Sequence, residues 1–184
     1  MKKHSRIFNL IEAVPLLFFL IYYRVVEPTS SQDWLVPYLA GAMAAVLTMS
    51  ILWLKDVLLS PVFVGVNIYL LSGCLGLVTQ QTWLNQLYDS LQASGMLAWI
   101  IIVGVVSLIF SPAGFIGIDS KNRQIIVVYS LYLLVVAIVA FLLAYSFRTD
   151  RILSETVPFI ILFTAYGVLK SRANRRIKLA TDKI

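Results

Sequence analysis

Residues 124–146 read QIIVVYSLYLLVVAIVAFLLAYS, twenty-three positions without a charged side chain. Coiled at 1.5 Å per residue, such a helix is about 34 Å long and crosses ~30 Å of hydrocarbon. Five further apolar stretches surround it, at 7–23, 34–54, 61–78, 96–110 and 155–169. The fourth of the six, 96–110, is the weakest and gains length if it starts near Ala93. Together they predict an all-α fold: an integral membrane bundle of six transmembrane helices, one polytopic domain over 1–184. Composition agrees. Hydrophobic residues make up 60% of the chain and charged residues 13%, with a mean hydropathy of +0.87. A soluble domain carries about 25% charge.

The net charge of +6 raises nucleic acid as a partner, but its placement argues for a membrane. If the chain crosses six times, Lys2, Lys3, Arg6, Lys55, Lys121, Arg123, Lys170, Arg172, Arg175, Arg176, Lys178 and Lys183 share one face. Only Arg24, Arg148 and Arg151 fall on the other. Twelve against three is a positive-inside bias that places both termini in the cytoplasm. The basic segment 170–184 then reads as a cytoplasmic tail. Its Lys170, Arg172, Arg175, Arg176 and Lys178 would anchor the chain to anionic lipids rather than to nucleic acid.

The N-terminus has a basic start and an apolar run, as a signal peptide does. The run ends in Tyr22-Tyr23-Arg24 with no small-residue cleavage site, so an uncleaved first span is expected. Small residues mark helix contacts: Gly41 and Ala45 in span two, Ser72 and Gly76 in span three, each pair one turn apart. Trp34 and Trp53 bracket span two at belt depth. Between spans three and four, over 80–94, Trp83, Leu84, Leu87, Tyr88 and Leu91 recur at helical spacing. Gln81, Asn85, Gln86 and Ser90 take the remaining positions, which predicts a short interfacial helix. Phe115-Ile116 sits between Gly114 and Gly117, in a loop that either dips into the interface or packs as a turn beneath the bundle.

Catalytic signatures are absent from the sequence. His4 is the only histidine, Cys74 the only cysteine, and no HExxH, phosphate loop or nucleophile elbow occurs. No enzyme activity, metal or cofactor is expected. The polar residues inside the spans are therefore the candidates. Glu12 lies about 8 Å inside the start of span one, with Asn9 three residues earlier on the same face. One reading makes it a structural carboxylate tied to Asn9 and a basic loop residue; the other makes it a proton or cation site with a raised pKa. Asn67, mid-way along span three, must find a partner inside the bundle, as helix–helix glue or as a substrate contact. Glu155 opens span six with Ser154 as its expected N-cap. The Glu-x-x-Pro…Tyr pattern at Glu12, Pro15 and Tyr23 repeats at Glu155, Pro158 and Tyr166, a match read as coincidence because span four lacks it.

Glu12-x-x-Pro15-Leu16-Leu17-x-Phe19-x-x-x-Tyr23-Arg24 resembles the opening of the intracellular septation protein A family, in which an acidic residue, a proline, a phenylalanine and a tyrosine–basic pair recur at this spacing. The alanine-rich second span ending Trp53-Leu54-Lys55 and the glycine-bearing third span around Gly73 extend the likeness over the first eighty residues or so. The second half departs from it, lacking the family's basic-Pro-Thr segment before the fourth span. The resemblance implies a multi-pass protein of the bacterial inner membrane, linked to septation and the cell envelope through protein partners. Combined with the missing catalytic groups, it leads to a non-enzymatic interaction component. The competing expectation is a small proton-coupled transporter or channel using Glu12 and Asn67.

Overall fold

Among the described residues the elements are seven α-helices and one π-helical turn: α1 Arg6–Val26, α2 Leu35–Leu54, α3 Pro61–Val78, α4 Thr82–Leu91, α5 Ala93–Phe110, α6 Arg123–Ser146, the π turn Ile152–Thr156 and α7 Val157–Thr181. The computed structural model describes residues 6–26, 33–150 and 152–181, apart from the side chains of 6–10, 23, 24 and 26. No strand occurs among the described residues. Lys2, Lys3, His4, Arg151, Lys183 and most of the loop after α1 therefore lie outside the described residues. Among the described residues five helices are long and apolar enough to cross a membrane: Leu35–Leu54, Pro61–Val78, Ala93–Phe110, Arg123–Ser146 and the merged Ile152–Ala180. The apolar part described in α1, Ile11–Tyr22, is shorter. Large apolar side chains stand exposed along these helices, Phe18 at 59%, Leu47 at 63% and Ile109 at 62% among them. Apolar surface on this scale belongs against lipid, since soluble monomers keep such patches small.

Three segments run clearly longer than their sequence pattern, the first being that expected at 7–23, which spans Arg6–Val26. The helix expected at 96–110 starts at Ala93. The one expected at 155–169 continues unbroken to Thr181, so the basic segment from 170 onward is helical. Its start also differs from expectation. Asp150 Oδ1 accepts from the amides of Ile152 at 2.9 Å and Leu153 at 3.1 Å, so Asp150 is the cap and Ser154 is a buried residue of the π turn. Pro158 supplies the physical reason. A proline has no N–H to give the carbonyl four residues back and its ring clashes with it, and a wider turn just before the proline relieves both problems.

The chain divides into two compact units. The first comprises α1, α2, α3 from Val66 onward, and α4. In α2 the buried residues Tyr38, Gly41, Ala42, Ala45, Thr48 and Leu52 recur every three or four positions and form one face. Gly41 lets neighbours close in: a Cβ there would lie 3.6 Å from Phe19 Cβ and 3.3 Å from the Leu70 methyls. Helix α2 ends with the left-handed residue Asp56 at φ 53°, with Asp56 N–H on Trp53 O and Val57 N–H on Leu52 O. Gln80, at φ 53°, repeats this arrangement after α3 and turns the chain into α4.

The second unit comprises Ser60–Gly65, α5, α6, the π turn and α7. Ile126, Ser130, Leu133, Ala137, Ala140 and Ala144 line the buried face of α6, and its three alanines allow close helix approach. The glycine-flanked loop is a packed turn. Phe115 and Ile116 are fully buried, Gly114 and Gly117 take φ of 61° and 67°, and Ile116 N–H donates to Ser130 Oγ at 3.1 Å. The Phe115 ring fills the space where Gly104 lacks a side chain. Arg123 closes the end of α5, donating to Leu108 O at 2.9 Å and to Ser111 O.

Candidate functional site

In the first unit an aromatic cluster gathers from all four helices. Phe19 comes from α1, Tyr38 from α2, Tyr69 from α3 and Tyr88 from α4, with Trp34 just ahead of α2. The Tyr38 and Tyr69 hydroxyls share a hydrogen bond of 2.6 Å. The Tyr88 hydroxyl bonds Ser72 Oγ and donates to Tyr69 O at 3.3 Å. The Tyr69 and Tyr88 rings lie 5.0 Å apart. Gly73 makes this possible, because a Cβ there would stand 2.3 Å from the Tyr38 ring. Gly76 likewise admits Leu84 and Asn85 of α4. The small residues of α3 thus receive different neighbours: Gly76 admits α4, and Gly73 admits Tyr38 of α2.

Below this cluster lie the buried polar residues of the unit. Glu12 is 3% exposed, Asn67 4% and Thr48 7%. Their levels follow from helix rise, because Phe19, Gly41 and Leu70 meet at one depth. Seven residues take Glu12 and Thr48 about 10 Å below that depth, and three take Asn67 about 4–5 Å below it, so Glu12 and Asn67 differ by about 6 Å along the axis. Thr48 spends its hydroxyl on its own helix, donating to Ala44 O at 2.8 Å and Ala45 O at 3.1 Å. Asn67 Oδ1 is buried and finds no hydrogen-bond donor among the described residues. An amide left so costs about 1–3 kcal/mol. Asn9 belongs to α1, but its side chain, and hence the expected pairing with Glu12, lies outside the described residues.

The basic residues of α7 separate into two groups. Lys170 turns back along the helix, its Nζ donating to the Tyr166 hydroxyl at 2.7 Å and sitting 5.0 Å from the ring centre. Ser60 Oγ donates to the same hydroxyl at 2.9 Å. Arg172, Arg175 and Arg176 instead line one open groove with Tyr129 and Leu179, which Lys178 does not join.

Of the interior candidates expected from the sequence, Glu12 and Asn67 are both buried in the first unit. The tyrosine cluster was not anticipated, although a signal for it exists: Tyr69 lies mid-way along its apolar stretch, a depth at which a phenol needs a partner. Trp34, expected as a belt residue, packs with Phe19 and Tyr38. In α4, Leu84, Asn85 and Tyr88 turn inward while Trp83 is 63% exposed and Leu87 is exposed beside it. The described residues hold no cluster of three His, Cys, Asp or Glu suited to a metal ion. Compared with protein-family models, curated proteins and solved structures, the chain matches none.

Proposed function

We propose that the chain is a six-crossing protein of the bacterial inner membrane, with both termini cytoplasmic, that acts as a non-enzymatic interaction component of the cell envelope. The twelve-to-three division of Lys and Arg supports the orientation. The 21 residues of α1 would reach about 31 Å and serve as the sixth crossing. Helix α4, with Trp83 and Leu87 on its open side, suits the outer interface. The resemblance of Glu12 through Arg24 to the septation protein A family suggests septation as the process served. One observation carries the scaffold reading: hydrogen bonds among Tyr38, Tyr69, Tyr88 and Ser72 spend interior polar groups on joining helices. Crosslinking in intact cells, followed by capture beside an unrelated six-span control, tests it. Enrichment of septation or envelope proteins over the control is expected, and equal recovery would remove the reading.

A second reading has an observation of its own. Asn67 Oδ1, without a donor among the described residues and about one helical turn along the axis from Glu12, suits a small proton- or cation-coupled transporter or channel, in which a cation or substrate N–H would meet that oxygen. Flux into proteoliposomes separates the two.

A further inference from the structure

The groove of Tyr129, Arg172, Arg175, Arg176 and Leu179 has a volume of about 420 Å³. Arg172, Arg175 and Arg176 stand at i, i+3 and i+4 of α7 and share one face, with Leu179 a further turn along. Tyr129 comes from the second turn of α6, so the start of α6 and the end of α7 frame the groove. Among the described residues none of the three guanidinium groups has a hydrogen bond or an ion pair. Three like charges in one groove repel one another unless an anion joins them. The planar forks of arginine match phosphate oxygens in pairs, and the Tyr129 hydroxyl adds a neutral donor.

Surroundings point to the source of that anion. Val168 lies one turn before Arg172 and is exposed, as are Val128, Leu131 and Tyr132 around Tyr129. Leu179, 58% exposed, closes the far end. Apolar surface thus runs along both helices up to the basic groove, as required of a site that takes a phosphate while the attached acyl chains stay on the helices.

We propose that this groove binds a lipid head group carrying two negative charges on phosphate, either a phosphomonoester or a pair of phosphodiesters. A single phosphodiester would leave most of the positive charge uncompensated. The proposal rests on the reading of segment 170–184 as a lipid-facing basic end, and replaces a diffuse charge anchor by one stoichiometric site. In this site Lys170, held on Tyr166, and Lys178 have no part.

The test uses the full chain in nanodiscs of zwitterionic lipid containing phosphatidic acid, cardiolipin or phosphatidylglycerol at matched total charge, read by native mass spectrometry. One phosphatidic acid or cardiolipin should be retained about tenfold over phosphatidylglycerol. The triple variant R172K/R175K/R176K keeps the charge but loses the forks, and should lower retention about tenfold; Tyr129→Phe should lower it about threefold. Lys178→Gln should change nothing. Equal retention of all three lipids, or a triple variant that holds lipid as well as the parent, would overturn the site. So would inorganic phosphate occupying the groove as tightly in purely zwitterionic discs, since the ligand would then be soluble. Nanodiscs expose both faces, so these results do not depend on orientation; a reporter fusion after Arg176 that is active only in the periplasm would overturn the cytoplasmic reading alone.

Discussion

The interior of the first unit holds a carboxylate, an amide and hydrogen-bonded phenols, in Glu12, Asn67, Tyr38 and Tyr69, whereas the polar groups buried in the second are the serines Ser60, Ser94, Ser130 and Ser154. A serine hydroxyl is small and finds an acceptor nearby, as Thr48 does on its own helix. A carboxylate or an amide has more groups to satisfy and costs more when one is left over. The second unit is accordingly packed through alanines on α6, Gly65 against the Ile100 backbone and the buried Phe115 turn. Specificity in the first unit comes from side-chain hydrogen bonds, and among the described residues Asn67 Oδ1 has no donor. In the second unit close packing is joined by hydrogen bonds at the ends of helices, such as Ile116 N–H on Ser130 Oγ and Ser60 Oγ on the Tyr166 hydroxyl.

The contrast can be broken most strongly in the second unit. Gly114→Val puts a branched side chain at φ 61°, with its Cβ 2.6 Å from Ser130 Oγ. Left-handed strain and overpacking together should cost about 3 kcal/mol. Unfolding followed in detergent micelles would show it, and an unchanged midpoint would mean that the turn is not packed. Asn67→Leu sharpens the contrast from the other side. Removing a buried oxygen without a donor should raise stability by about 1–2 kcal/mol, whereas an amide acting as helix glue would make the same change destabilising. Tyr38→Phe removes one side of the hydroxyl pair and should cost about 1 kcal/mol. Tyr69→Phe should cost little more in the Tyr38→Phe background, and full additivity in the double-mutant cycle would deny the coupling. The smallest effect belongs to a helix end. Gln80→Gly relieves a left-handed backbone and should stabilise by about 0.5–1 kcal/mol if the motif after α3 persists in solution.

Helix positions were legible because the apolar stretches are long and almost free of charge, and length then sets most boundaries within a few residues; α7, which runs on to Thr181, is the exception. The legible part stopped where side chains from distant segments meet. Glu12 and Glu155 share the Glu-x-x-Pro pattern, yet Glu12 is buried in a helix that continues through Pro15, while Glu155 is half-buried in the π turn before Pro158. No local pattern distinguishes them, since packing partners decide both environments. Asp150 displaced Ser154 as the cap because the proline moved the helix start outward, an effect at several residues' remove. The split of the basic segment, with Lys170 on Tyr166 and three arginines around Tyr129, depends on α6 lying beside α7. Amphipathic spacing identified α4, but its inward face was set by Gly76, which admits Leu84 and Asn85 and leaves Trp83 outside.

The scaffold reading stands on an interior that does not conduct. Wild-type protein and the Glu12→Gln variant, reconstituted into proteoliposomes loaded with a pH-sensitive dye and placed under an imposed pH gradient, test this most directly. Gln keeps the shape of the carboxylate and removes its charge, so the fold should survive and the two samples should behave alike. Dye traces for both that match empty vesicles are the predicted result. A proton flux through the wild type that vanishes in Glu12→Gln would contradict the scaffold reading and establish Glu12 as the site of transport.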